Sequence, residues 1–155
     1  MAESDDNARL IIPALGALYR PFKPLAWPLI RFATGLFLVP HGAQKLFGWF
    51  GGHGLDGTIA GFSKMGFEPG WFFGPLVGGV EFFGGILIAL GLLTRPAAVA
   101  AAILLAVAFT VHLPNGFFVN KGGYEYALLW LILCTAIAAR GAGRLSLDRA
   151  MGREF

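Results

Sequence analysis

Four long apolar stretches dominate the chain, at residues 27–50, 71–94, 96–113 and 124–139, separated by segments that carry charge, proline or glycine. A helix needs ~20 residues to cross a bilayer, with a range of ~17–25. The first three stretches meet that length. The fourth is short and must stand nearly upright or run on past Arg140. Pro96 falls at the start of the third, in a first helical turn where its missing N–H costs nothing. Trp27, Trp49 and Trp71 sit at stretch ends, as an interfacial aromatic belt places them. The pattern predicts an all-α integral membrane protein: a four-helix transmembrane bundle preceded by an interfacial segment, residues 1–26, and followed by a basic tail, residues 140–155.

Composition removes the alternatives. Of 155 residues, 56% are hydrophobic, another 23 are glycine and only 14% are charged, against the ~25% charged of a soluble domain. So few polar groups cannot cover a soluble globule. The net charge of +3 comes from basic residues spread along the chain, which gives no nucleic-acid footprint. Glu3, Asp5 and Asp6 make the start acidic where a secretory signal would be basic. A single cysteine, Cys134, excludes a disulfide framework, a redox pair and a cysteine zinc site, and reads as a small core residue. Four spans put both termini on one side, and that side holds nine of the 12 Lys and Arg residues, so both termini are expected in the cytoplasm. The inner connection Leu93–Pro96 is only a tight turn. The outer connections, 51–70 and 114–123, are long and glycine-rich, and the first carries an amphipathic piece from Asp56 to Lys64 with Asp56 as its expected N-cap. Function is therefore expected on the outer side.

Ionisable groups inside spans cost ~2.5–3.5 kcal/mol near the centre, and they usually face the bundle interior with a partner. His41, Gln44 and Lys45 share one helical face just after Pro40 in the first span, Glu81 lies near the middle of the second, and His112 and Glu125 flank the last outer connection. At a rise of ~1.5 Å per residue, His41 and Glu81 both come ~18 Å above the inner edge, Glu125 ~21 Å, and Lys45 and His112 ~24 Å. The groups converge on one layer in the outer half of the bilayer. Glu81 shares its face with Gly74, Gly78 and Gly85, a small-residue stripe that lets helices approach and permits a homo-oligomer. Polar contacts between helices average only ~0.6 kcal/mol, too little to repay the insertion of such groups, so a use beyond adhesion is expected. Trp130 reads as packing, with stacking on a ring near an outer cavity as the alternative, and Arg31 as a side chain that snorkels to inner headgroups; His53 beside Asp56 is weak metal-ligand material, His41, Glu81 and His112 are suitable ligand types on three helices, and no metal site is assigned.

Several runs carry a family likeness. His41–Gly48, Gly51-Gly52, Glu81 in its glycine-rich span, Leu90–Arg95, Asn115–Phe118, Gly123–Leu128 and Gly143–Asp148 together resemble the DoxX family, in order, over about residues 31–148. The resemblance implies a four-helix protein of the bacterial inner (plasma) membrane. Family relatives include a membrane subunit of a thiosulfate:quinone oxidoreductase and partners of superoxide dismutase and a sulfurtransferase. The leading expectation is a membrane subunit of a quinone-linked redox system in which His41 and Lys45 bond the quinone carbonyls and Glu81 exchanges protons. Gln44, His112 and Glu125 would complete the binding layer, and electrons would come from a soluble redox partner protein. One alternative is a non-catalytic scaffold for redox enzymes, docking an acidic partner or anionic lipid through the tail and its four arginines. The other is a small-solute or proton pathway.

Overall fold

The computed structural model describes residues 10–154, and among them every regular element is helical. The acidic residues at 3, 5 and 6 lie outside the described residues. A short helix, α1 (Leu15–Tyr19), leads into α2 (Lys23–Phe47), which carries Pro28 and Pro40 internally and stops at Gly48 in the left-handed conformation, φ 70°. The first glycine-rich connection folds into α3 (Gly54–Lys64). Asp56 stands in its first turn and does not cap it: the helix begins two residues earlier, after His53, with no side-chain cap bond. The backbone freedom of Gly54, at φ 68°, sets that earlier start.

Helix α4 (Gly70–Leu90) is continuous but widens into a π turn at Val80–Gly84. A tight turn with Gly91 at φ 70° and Leu93 at φ 47° leads to α5 (Thr94–His112). Two short 3₁₀ turns, Leu113–Asn115 and Val119–Lys121, precede α6 (Glu125–Arg140), which does not continue as helix past Arg140. The last element is α7 (Leu147–Ala150), capped by Ser146, whose hydroxyl accepts from the Arg149 N–H at 3.2 Å.

Two helical stretches, Gly70–Leu90 and Thr94–Asn115, are long and apolar enough to cross a membrane, and only 28% and 22% of their most apolar windows is buried inside the chain. Most of that apolar surface faces outward, which is the arrangement of a membrane helix and not of a soluble core. The buried core between α2, α4, α5 and α6 is small: Leu38, Ile88, Leu105, Cys134, Ile137 and a run of alanines on α5. Small residues let backbones touch. A Cβ on Gly35 would strike the Gly85 carbonyl and the Ala89 backbone, and one on Gly42 would strike the backbone of Phe82.

The end of the bundle where α4 turns into α5 is closed by a polar knot. Arg31 is only 2% exposed and does not snorkel. Its Nη1 donates to the carbonyls of Ile88 at 2.5 Å and Ala89 at 2.7 Å, and its Nη2 to Leu145 at 2.5 Å. The end of α4 has orphan carbonyls that need donors, and Arg31 supplies them. Asp148 is buried beside it and accepts from the N–H groups of Leu93 at 2.8 Å and Thr94 at 3.0 Å and from the Thr94 hydroxyl at 2.8 Å. The tail is thus folded onto the bundle. Trp27 Nε1 also donates to the Gly141 carbonyl at 3.0 Å, with Arg140 over its ring at 4.7 Å.

Candidate functional site

The glycines of α2 and α4 decide where the site forms. Gly42 rides on the backbone of Phe82 in the π turn, and a Cβ on Gly78 would press on Leu46 and Lys45. This close approach brings Lys45, three residues beyond Gly42, against Glu81. The Lys45 ammonium lies 2.6 Å from Glu81 Oε2, with the side chains 29% and 11% exposed. The pair is fixed from above by α3, where the buried Thr58 hydroxyl donates to the Lys45 carbonyl at 3.0 Å.

This ion pair forms part of the wall of a cavity of about 380 Å³, within the ~300–1,000 Å³ of small-molecule sites. His41, Lys45, Glu81 and His112, four of the six residues picked out by depth, line it together. His41 is exposed and makes no hydrogen bond among the described residues. His112 Nδ1 lies 2.8 Å from the Gly122 carbonyl, a partner that can only accept. Nδ1 therefore carries the proton in the neutral ring, leaving Nε2 as an acceptor. Asn115 Nδ2 donates to the same carbonyl at 3.1 Å, tying the 113–123 loop over the cavity.

The other two residues are not brought to the cavity. Gln44 donates to the Phe50 carbonyl at 3.3 Å and is covered by Gly52. Its three-residue spacing from His41 allowed a shared face, but the Trp49–Gly51 turn folds back and takes its amide. Glu125 accepts from the Val119 N–H at 3.1 Å and braces the loop. Periodicity and depth did not point to Tyr126, while Trp130, expected as packing with a place beside an outer cavity as the alternative, lines the cavity. The indole of Trp130 meets Phe37 edge-on at 6.3 Å and Tyr126 at 6.0 Å, and its Nε1 donates to the Thr34 carbonyl at 3.3 Å. The four-residue step from Tyr126 to Trp130 was the available signal. The π turn around Glu81 was also missed, although π turns are frequent at functional sites and the flanking pairs Gly78-Gly79 and Gly84-Gly85 mark a compliant backbone. Among the described residues no three His, Cys, Asp or Glu side chains come together to hold a metal.

The DoxX family matches residues 26–113, more than half of the chain and all of the segment that carries His41, Lys45, Glu81 and His112. The chain belongs to the DoxX family. Among its relatives is a Bacillus subtilis protein named "Putative oxidoreductase CatD", 31% identical over 121 residues, covering 77% of this chain and 82% of that one. Two uncharacterised Haemophilus influenzae proteins are also similar. One is 35% identical over 78 residues, about half of each chain, and the other 30% identical over 135 residues, 82% of this chain and 91% of the relative. No solved structure matches. With its apolar outward faces, this DoxX chain is a membrane protein.

Proposed function

We propose that this DoxX chain is the membrane subunit of a quinone-linked redox system, with four spans, both termini in the cytoplasm of a bacterium and the cavity in the outer half of the inner membrane. The observation that carries the reading is the Lys45–Glu81 pair on the wall of a cavity that also holds two histidines and an indole. A quinone is an uncharged ring with two carbonyl acceptors, and its two-electron reduction takes up two protons. The Lys45 ammonium and a protonated His41 or His112 are donors for carbonyl oxygens, while Trp130 and Tyr126 offer aromatic surface to a ring. Glu81 and the histidines can each take and return a proton. A soluble partner supplies the electrons. The relative named for oxidoreductase activity and the nine-to-three split of basic residues support the reading and its orientation. The test is mass spectrometry of the organic extract from gently purified protein. Near-stoichiometric quinone in wild type and depletion in Glu81→Gln are expected. Quinone at membrane background in both sinks the assignment.

A further inference from the structure

The buried lining of the cavity comes from Leu38, Glu81, Leu105, Gly123 and Ala127, on all four long helices and the loop. Its exposed lining falls in two places: His41 on α2 and Tyr126 on α6, and His112, Val119 and Gly122 at the loop. Immediately below, Trp130 bridges the seam through its bond to the Thr34 carbonyl and its contact with Phe37, which forms a sill. Around the sill the surface turns apolar and exposed: Phe37 is 59% exposed, Leu129 48% and Ile132 57%. The Lys45–Glu81 pair is thus recessed, and on the α2–α6 side the mouth passes, below His41 and Tyr126, into the outward apolar faces of those helices.

We propose that the α2–α6 seam is a lateral portal, and that the natural ligand is an amphiphile whose ring-like polar head reaches the Lys45–Glu81 pair while a long apolar chain lies across the Trp130 sill along Phe37. This rests on the quinone reading for the identity of the head; the portal itself rests on the lining and exposure of the seam. On the loop side the exposed lining belongs to a segment tied down by His112 and Asn115 on Gly122. A chain-bearing ligand needs an apolar exit beside a recessed polar pair, and the seam provides both.

The test uses the full chain in phosphatidylcholine nanodiscs and two photoreactive probes with diazirines in the tail. One is a long-chain benzoquinone, the other a phosphatidylcholine; labelled residues are read by mass spectrometry. The quinone probe is expected to label Phe37 and Leu129 about tenfold above the lipid-facing controls Ile103 and Val107, with the phosphatidylcholine probe even over all four. Even labelling by both probes overturns the portal. Quinone labelling confined to Phe118 and Val119 also overturns it, because the head would then arrive through the outer loop, and leaves the quinone reading standing. Enrichment at Phe37 and Leu129 by the phosphatidylcholine probe, with the quinone probe even, keeps the portal and sinks the quinone reading.

Discussion

Replacing Asp148 with Ala removes the acceptor for three donors where α4 turns into α5. The Thr94 N–H is buried and the Leu93 N–H part-buried, and Leu93 is held at φ 47°, where a residue other than glycine is strained. Each buried donor left unpaired costs about 1–3 kcal/mol. The Thr94 hydroxyl can rotate away, but Arg31, itself buried, loses its nearby counter-charge, and breaking such an arrangement from one side costs about 3–5 kcal/mol. These costs overlap, so the expected loss is about 3–5 kcal/mol in total. At roughly 2–4 °C per kcal/mol for a chain of this size, the melting temperature in detergent should fall by about 10 °C. Asp148→Asn keeps one oxygen acceptor and should lose about half as much. Acid supplies a second arm. Burial alone would push the Asp148 carboxyl up, but the Thr94 N–H and hydroxyl, the Leu93 N–H and the Arg31 charge together hold it below the usual range. A depressed carboxyl contributes stability that is complete above the unfolded pKa of ~3.9 and disappears as the pH falls through the folded value. The gap between wild type and Asp148→Asn should therefore be constant above about pH 5 and shrink below about pH 4. A melting temperature for Asp148→Ala within about 2 °C of wild type would refute the reasoning.

Four further outcomes are expected. Gly42→Ala drives a Cβ into the Phe82 backbone, so it should cost about 1–3 kcal/mol and part Lys45 from Glu81; a melting curve superimposable on wild type counts against the close approach. Arg31→Leu removes the donor of the Ala89 and Leu145 carbonyls, leaving Ile88 only its bond from the Gly91 N–H, and should destabilise by about 2–3 kcal/mol, read by denaturation in detergent, with no gain from the added apolar surface. Cys134, fully buried, should resist a maleimide in the folded protein and react on unfolding, and rapid labelling under native conditions would contradict the core packing. In Cys134→Ser background, cysteines at exposed Lys64 and Lys121 should be labelled from outside intact spheroplasts and one at Arg149 only after lysis; the reverse pattern overturns the proposed orientation.

The cavity was legible in the sequence where helix geometry alone decides it. Rise per residue and the four-residue step from His41 to Lys45 put groups that line the cavity within one layer, and the glycine face of α4 aimed Glu81 at α2. Gln44 and Glu125 share that layer but serve loop backbones, whose unpaired N–H and C=O groups leave no mark in a hydrophobic pattern. Arg31 was misread for a related reason. Near an inner interface a lone arginine suits headgroups, and only the pairing of residues 57 positions apart reveals the orphan carbonyls it satisfies. Asp148 entered only as the end of a family-like run, because the role of a buried acid in a basic segment is defined by its donors and not by its neighbours in sequence.

The glycine-mediated seams also divide the molecule mechanically. Helices α2 and α4 touch backbone to backbone at Gly35 and Gly42, which makes them one stiff arm, while α5 and α6 form the other. The cavity draws His41, Lys45 and Glu81 from the first arm and Leu105, Tyr126 and Trp130 from the second. The Arg31, Thr94 and Asp148 knot pins the arms at the opposite end. In such a layout a small shift at the pin would translate into a larger change in gap at the cavity end. Spin labels on Leu76 and Leu129 should report a wider spread of distances than labels on Leu90 and Ala139, and equal spreads would mean the arms do not pivot.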